Sequence, residues 1–271
     1  MPRPLVALLT DFGSRDHYVG AVKGAVLAAC REATVVDIAH EIPPHDVAEG
    51  AYVLAASFSA FPAETVFVAV VDPEVGSARR ALALEAGGYR FVGPDNGIFT
   101  HVLALHPDAR IHAVTNSALF RREVSPTFHA RDVFAPVAGR LAQGMSLEEV
   151  GQSVQDPVLL QLPAVHPRRA GEWEATVVHV DHFGNLITNL TEAELGRLLA
   201  ASGGDPTEIV AVVEGMVLPL VRTYADVQEG EACALVTSGR LEVSVNRGSA
   251  ARVLGASKGA PVRLRAVSAV G

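Results

Sequence analysis

The stretch TVFVAVV, residues 65–71, is the most strand-like run in the chain, and Asp72 and Pro73 close it. Its β-branched residues predict a strand. Upstream of it, strand-like runs alternate with helical patterns. In chain order these are Pro4–Leu9, His17–Cys30, Thr34–Ile38 and Val47–Ser57. This β-α-β-α-β order predicts an α/β layered domain with a mostly parallel sheet.

Downstream of the central strand the alternation continues. Ala81–Glu85 and Tyr89–Val92 flank Gly87 and Gly88, which is the signal of a hairpin. The remaining elements of this part are a helix, a strand and a helix, predicted at Ile98–Leu105, Ile111–Val114 and Val133–Ala142.

A change in the sequence pattern indicates a second domain. Gln161–Gly171 contains two prolines and two arginines without a clear period, and is the predicted linker. Beyond it, strand-like runs with one helix near Glu192–Ala201 predict a small barrel or sandwich. The runs are Ala175–Val180, Ile209–Val213, Met216–Val221, Ala232–Val236, Leu241–Val245 and Pro261–Val267. The predicted domains span residues 1–162 and 172–271.

Composition excludes several classes of protein. A chain of 271 residues that is 49% hydrophobic and 19% charged is not disordered. The net charge of −8 argues against nucleic-acid and anionic-membrane partners. No run approaches the roughly 18 apolar residues of a membrane helix. The N-terminal apolar run is too short for a signal peptide, and only Cys30 and Cys233 are present, so we expect a cytoplasmic location.

Three polar clusters lie where strands of the first domain are predicted to end, and ligands collect at such ends. Asp11, with Asp16 nearby, could bind the two hydroxyls of a ribose or cap a turn and a helix. Asp72 and Arg79 could form a charge-assisted pair within a site or an ordinary loop salt bridge. His129, in a loop that opens onto a helix, could move protons near neutral pH or be structural.

A fourth cluster, residues 179–190, belongs to the second domain. His179, Asp181 and His182 could suggest a metal site, but strand alternation sends His182 to the opposite face. The chain contains neither a G-x-G-x-x-G fingerprint nor a Walker A loop, which argues against dinucleotide and ATP binding. We expect no metal and no cofactor.

Six motifs follow one another along the chain. They read LLTDFGSRDHYVGAVKG, VAVVDPEVGSARR, FVGPDNGIF, TFHARDVFAPVA, HVDHFGNLITNL and GEACALVTSGRLEVSVNRGSAA. Together they resemble the S-adenosylmethionine hydroxide adenosyltransferase family, the (R)-S-adenosylmethionine hydrolases, which is related to the fluorinase and chlorinase. The resemblance runs from about Val6 to Ala251. It implies an N-terminal α/β domain, a smaller C-terminal β-barrel domain and a homotrimer with active sites between subunits.

The resemblance also implies an activity and roles for individual residues. The activity is hydrolysis of S-adenosylmethionine to adenosine and L-methionine without a metal. The catalytic triad of the hydrolases falls on Asp72, Arg79 and His129, and the sequence does not decide whether Asp72 or His129 is the base. The implied substrate contacts are Asp11 and Asp16, Asp181 and Asn185, Thr237 and Glu242, and backbone groups of Val245 and Arg247.

The sequence departs from the family pattern at two positions. Ala130 stands where the hydrolases usually carry Gly, and Thr237 where Ser is common. The fluorinase resembles the chain less, because it has a Tyr at the position of Asp72, a Ser at that of Ala130 and an inserted loop. A halogenase is therefore the runner-up, since the charge of Asp72 would repel a halide. A non-catalytic nucleoside-binding protein is the alternative from another class.

Overall fold

The computed structural model describes residues 3–168, 172–201 and 209–266. Its coordinates divide into two compact units, and the division falls between Leu160 and Gln161. Within the described residues, no helix combines the length and hydropathy needed to cross a membrane.

The first unit is built on a six-stranded sheet. Its strands are β1 (Leu5–Thr10), β2 (Thr34–Ala39), β3 (Val66–Val70), β4 (Ala81–Ala86), β5 (Tyr89–Pro94) and β6 (Arg110–Ala113), in the order β2-β1-β3-β5-β4-β6. The pairs β1–β2, β1–β3 and β3–β5 are parallel. β4 is antiparallel to both of its neighbours, because Gly87 and Gly88, each with positive φ, turn the chain back into β5. The predicted α/β fold is confirmed, with a mixed sheet.

Helices cover both faces of this sheet. They are α1 (Tyr18–Ala29), α2 (Val47–Ser57), α3 (Thr100–Leu105), α4 (Ala135–Ala142) and α5 (Leu147–Val150). Side chains alternate along β1: Val6 and Leu8 belong to the core under α1 and α4, whereas Ala7 and Leu9 belong to the core under α2 and α3. The predicted strands and helices of this part are all present, with ends that differ by at most two residues.

The second unit is a barrel-like antiparallel sheet. Its strands are β7 (His166–Pro167), β8 (Trp173–Val180), β9 (Leu186–Thr191), β10 (Ile209–Val213), β11 (Met216–Pro219), β12 (Ala232–Thr237), β13 (Arg240–Val245) and β14 (Pro261–Ala266), with helices α6 (Glu192–Ala201) and α7 (Ala250–Leu254). The order is β11-β10-β14-β8-β9-β13-β12. A bridge between Leu220 and Ala234 joins the two ends of this order. The predicted β-barrel is confirmed.

The sequence patterns missed two strands of the second unit. β9 overlaps the fourth polar cluster, where Thr188 and Asn189 interrupt its apolar pattern. β7 lies within the predicted linker and pairs with β8, so that segment is not entirely irregular. The last residue of the predicted strand Pro261–Val267 lies outside the described residues.

Candidate active site

Asp72 and Arg79 form a buried ion pair at the end of the central strand. Arg79 Nε donates to both carboxylate oxygens of Asp72, at 3.0 and 3.1 Å, and Nη2 donates to Oδ2 as well. Each side chain is only 5% exposed. The ring of Phe134 lies 5.3 Å from the guanidinium carbon. Charge-assisted bonds of this kind hold both side chains in one orientation.

His129 completes a triad with this pair. Arg79 Nη2 lies 3.0 Å from His129 Nδ1. Because a guanidinium has only donors, Nδ1 must accept, and the neutral ring therefore carries its proton on Nε2. Burial, and then the charge of Arg79, lower the pKa of His129 below its ordinary 6.5, against the opposing charges of Asp72 and Asp132. His129 is therefore neutral near pH 7.

The loop that carries His129 is organised by buried Asp132. Its carboxylate accepts from the backbone N–H of Ser125 at 2.9 Å and from Arg131 Nε and Nη2, each at 2.7 Å. Burial raises the pKa of Asp132, but these bonds outweigh it, and the pKa lies below its ordinary value. Residues Ala130–Phe134 form a π-helical turn directly after His129. Such turns often occur at functional sites.

The two loops of the triad touch at a glycine. Gly76 lies between Asp72 and Arg79 with φ +82°, and a Cβ there would lie 2.4 Å from the carbonyl oxygen of Pro126. Glycine is therefore required for this close approach.

Asp11 lies at the same edge of the sheet as Asp72. β1 and β3 are parallel neighbours with Thr10 opposite Val70, so both acids follow adjacent strand ends. One oxygen of Asp11, Oδ2, accepts from the backbone N–H of His45 at 2.9 Å. Asp16 is exposed, and the residue that caps α1 is His17 rather than Asp16.

In the second unit, Asp181 shapes the turn between β8 and β9. Its Oδ1 accepts from the backbone N–H groups of Phe183 and Asn185 at 2.9 and 2.8 Å, and its Oδ2 accepts from Asn185 Nδ2 at 2.9 Å. A Cβ on Gly184 would lie 2.0 Å from Ser249 Oγ. Asn185 is buried, whereas Phe183 is 72% exposed. The turn thus fixes an amide beside an aromatic ring that faces solvent.

Buried Glu242 accepts hydrogen bonds from three hydroxyl groups. Thr237 Oγ1 donates to its Oε2 at 2.7 Å, and Ser244 Oγ and Tyr224 OH donate to its Oε1 at 2.6 and 2.9 Å. Burial, the hydrogen bond to Glu242 and the charges of Glu242 and Asp181 raise the pKa of Tyr224 to about 12. The negative charges of Asp181 and Glu242 therefore both disfavour ionisation of Tyr224, so the two acids share one electrostatic environment.

Tyr224 and Ser244 are site residues that the sequence analysis missed. Ser244 stands two residues from Glu242 on β13, so strand alternation could have placed it on the same face. Tyr224 comes from a 3₁₀ turn, Tyr224–Asp226, outside the six motifs, and no local signal indicates its contact.

The last two predicted contacts lie at the end of β13. Val245 is buried and pairs with Ala232, and its carbonyl accepts from the N–H of Gly248 at 3.0 Å. Arg247 has φ +55°, and its side chain forms an exposed ion pair with Glu229 at 3.0 Å. Its backbone rather than its side chain is therefore the candidate ligand group.

The acidic and histidine side chains do not form a metal centre in the described parts of the chain. There, no group of three or more His, Cys, Asp or Glu is arranged to hold a metal ion.

Comparison with known proteins identifies the family. The model of the SAM hydroxide adenosyltransferase N-terminal domain matches residues 6–151, and that of the C-terminal domain matches residues 175–263. An (R)-S-adenosyl-L-methionine hydrolase from Salinispora tropica is 41% identical, covering 98% of this chain and 99% of its own. A fluorinase from an Actinoplanes species is 31% identical, covering 82% and 84%.

A solved structure has a closely similar fold. A solved structure of an uncharacterized conserved protein from Thermotoga maritima superposes with a TM-score of 0.89 at 33% identity, covering 96% of this chain and 99% of the other. With both domain models matched in order, this chain belongs to the SAM hydroxide adenosyltransferase family.

Proposed function

We propose that this enzyme hydrolyses S-adenosylmethionine to adenosine and L-methionine. The observation that carries the proposal is the bridge of Arg79 between Asp72 and His129, which holds a carboxylate and an imidazole on one guanidinium nitrogen. The relative from Salinispora tropica, matched over nearly its full length, is named for this reaction. Its name supports the (R) sulfonium as the preferred epimer.

The reaction is a direct displacement at C5′. A water held by the triad attacks C5′ from the side opposite sulfur, and the O–C5′ bond forms as the C5′–S bond breaks. The electron pair of that bond passes to sulfur, so the sulfonium becomes the neutral thioether of methionine. The water loses one proton and becomes the 5′-hydroxyl of adenosine. Orientation of the water supplies much of the rate.

The hydrogen bonds of the triad favour Asp72 as the proton acceptor. The Nδ1 lone pair of His129 faces Arg79, and its Nε2 carries the ring proton. His129 can therefore donate to the oxygen of the water but has no free site for its proton. The carboxylate of Asp72 can accept further bonds besides those from Arg79, because each oxygen has two acceptor sites.

The remaining site residues are assigned to substrate binding. Asp11 accepts from the ribose hydroxyls, and Asp16 contributes to the same end of the site. In the second unit, Asp181, Glu242 and Thr237 hold the methionine ammonium, which fits the acidic character of that cluster. Asn185 and the backbone of Val245 and Arg247 hold the nucleoside. We further propose a cytoplasmic homotrimer that needs no cofactor, with active sites between subunits, as the resemblance implies.

Product analysis tests the proposal. The protein is incubated with each epimer of S-adenosylmethionine, alone and with chloride or fluoride, and the products are separated by chromatography. We expect adenosine and methionine in equal amounts under all conditions. Formation of a 5′-halo-5′-deoxyadenosine would identify a halogenase, and tight adenosine binding without turnover would identify a nucleoside-binding protein.

A further inference from the structure

The motif FVGPDNGIF, residues 91–99, takes no part in the proposed chemistry, yet it contains two buried polar side chains. Asp95 and Asn96 follow β5 and are 4% and 8% exposed. β5 is the parallel neighbour of β3, whose end carries Asp72. Buried polar groups at this position require partners, and the partners show what the motif does.

Asn96 holds the start of the loop that carries the ion pair. Its Nδ2 donates to the carbonyl oxygen of Val71 at 2.8 Å, and its Oδ1 accepts from the N–H of Ile98 at 3.3 Å. Val71 is the residue directly before Asp72. An amide is required here, because a carboxylate could not donate to that carbonyl.

Asp95 holds the other end of the same loop. Its Oδ2 accepts from Arg80 Nε at 2.7 Å, and its backbone N–H donates to the carbonyl of Arg80 at 3.0 Å. Its Oδ1 accepts from the N–H of Val158 at 2.8 Å. Arg80 directly follows Arg79, so the residues that flank the ion pair are both bound to one turn.

We propose that Asp95 and Asn96 are positioning residues, which fix both ends of the loop 72–79 to the turn after β5 so that Asp72 and Arg79 meet His129. The salt bridge sets the geometry of Asp72 and Arg79 relative to each other. It does not set where the pair stands relative to His129, which belongs to a different segment. The hydrogen bonds of Asp95 and Asn96, which follow the buried strand β5, fix the position of the ion pair relative to His129. The inference rests on the proposed function.

The kinetic test uses Asp95→Asn and Asn96→Ala, with Asp156→Asn as the matched control. Asp156 is the other acidic partner of Arg80, at 2.8 Å, but its side chain is 83% exposed. Since a displacement of about 1 Å can cost on the order of 100-fold in rate, we expect kcat to fall by roughly 10- to 100-fold in the first two variants. The Kd of adenosine should stay unchanged in these two variants. The kcat of Asp156→Asn should equal that of the wild type.

A second measurement distinguishes failure of this inference from failure of the proposed function. The ¹⁵N signals of His129 report whether Nδ1 still accepts a hydrogen bond, and they need no turnover. If the wild-type protein is inactive, the proposed function fails. The ¹⁵N signals alone then decide whether Asp95 and Asn96 position the triad. A shift of Nδ1 in Asp95→Asn and Asn96→Ala but not in Asp156→Asn supports positioning.

Two results would overturn the inference. One is wild-type kcat in both variants of the turn. The other is an unchanged Nδ1 signal in both variants. Asp95→Asn preserves the size of the side chain, so it is the variant to rely on if Asn96→Ala is too unstable to purify.

Discussion

Arg79 Nη2 contacts both Asp72 Oδ2 and His129 Nδ1, so one nitrogen joins the acid and the imidazole of the triad. This relationship assigns the ring proton of His129 to Nε2, since Arg79 can only donate.

The first prediction concerns pH. Burial and Arg79 lower the pKa of His129 below 6.5, so the ring stays neutral until the pH falls below that value. Protonation then removes the acceptor for Arg79 and places two cations together. We expect kcat/KM to fall at acidic pH with a midpoint below 6.5. His129→Gln has no titrating ring, so its profile should lack this fall. A fall centred above 6.5 in the wild type would contradict the assignment.

The second prediction concerns the bridge itself. A lysine at position 79 supplies a positive charge, but it lacks the planar guanidinium that donates to Asp72 and His129 at the same time. We expect Arg79→Lys to lower kcat by roughly 100-fold, the lower end of the range for loss of a positioned acid–base group. Arg140→Lys is the control, because Arg140 is exposed and its Nη1 donates to Gln143 Oε1 at 3.3 Å, directly after α4. Equal activities of the two variants would remove Arg79 from the triad.

The third prediction concerns the ribose. Asp11→Ala removes an acceptor for two hydroxyls, and bonds to charged groups contribute about 1.5–3 kcal/mol, so the Kd of adenosine should rise by roughly 10- to 100-fold. Calorimetry measures this change. Asp108→Asn, an exposed acid in the turn before β6, provides the comparison. An unaltered Kd in Asp11→Ala would exclude Asp11 from the ribose site.

The fourth prediction concerns Tyr224. Phenylalanine at this position removes one donor to buried Glu242 and should raise the KM for S-adenosylmethionine while kcat changes little. Its cost in the free energy of unfolding should be about 1 kcal/mol. Tyr89→Phe also removes a phenol donor, from the carbonyl of Phe61 at 3.1 Å, and should reduce stability without affecting KM. A KM that shifts equally in both variants would show that Tyr224 acts only through stability.

Local sequence patterns predicted most of the fold, because in most elements the secondary-structure propensity of the residues agrees with their burial. The residues of β3 are all buried and β-branched or aromatic apart from Ala69, and α2 has the predicted ends, with Asp46 capping it by accepting from the N–H of Glu49. The resemblance brought the three triad residues together from two loops. The strand β9 was missed because Thr188 and Asn189 interrupt its apolar pattern.

Contacts that depend on distant segments could not be predicted. Tyr224 lies 18 residues from Glu242 in sequence, and Asn96 lies 25 residues from Val71. No sequence pattern indicates that either pair is in contact. The tautomer of His129 likewise follows only from the position of Arg79 in the folded protein.

The most direct test of the account is a single turnover of S-adenosylmethionine in H₂¹⁸O, with mass spectrometry of both products. We expect one ¹⁸O atom in adenosine, at the 5′-oxygen, and none in methionine, and we expect Asp72→Asn to slow its appearance by roughly 100- to 10,000-fold. Adenosine without the label, or label in methionine, would contradict attack of a triad-held water at C5′.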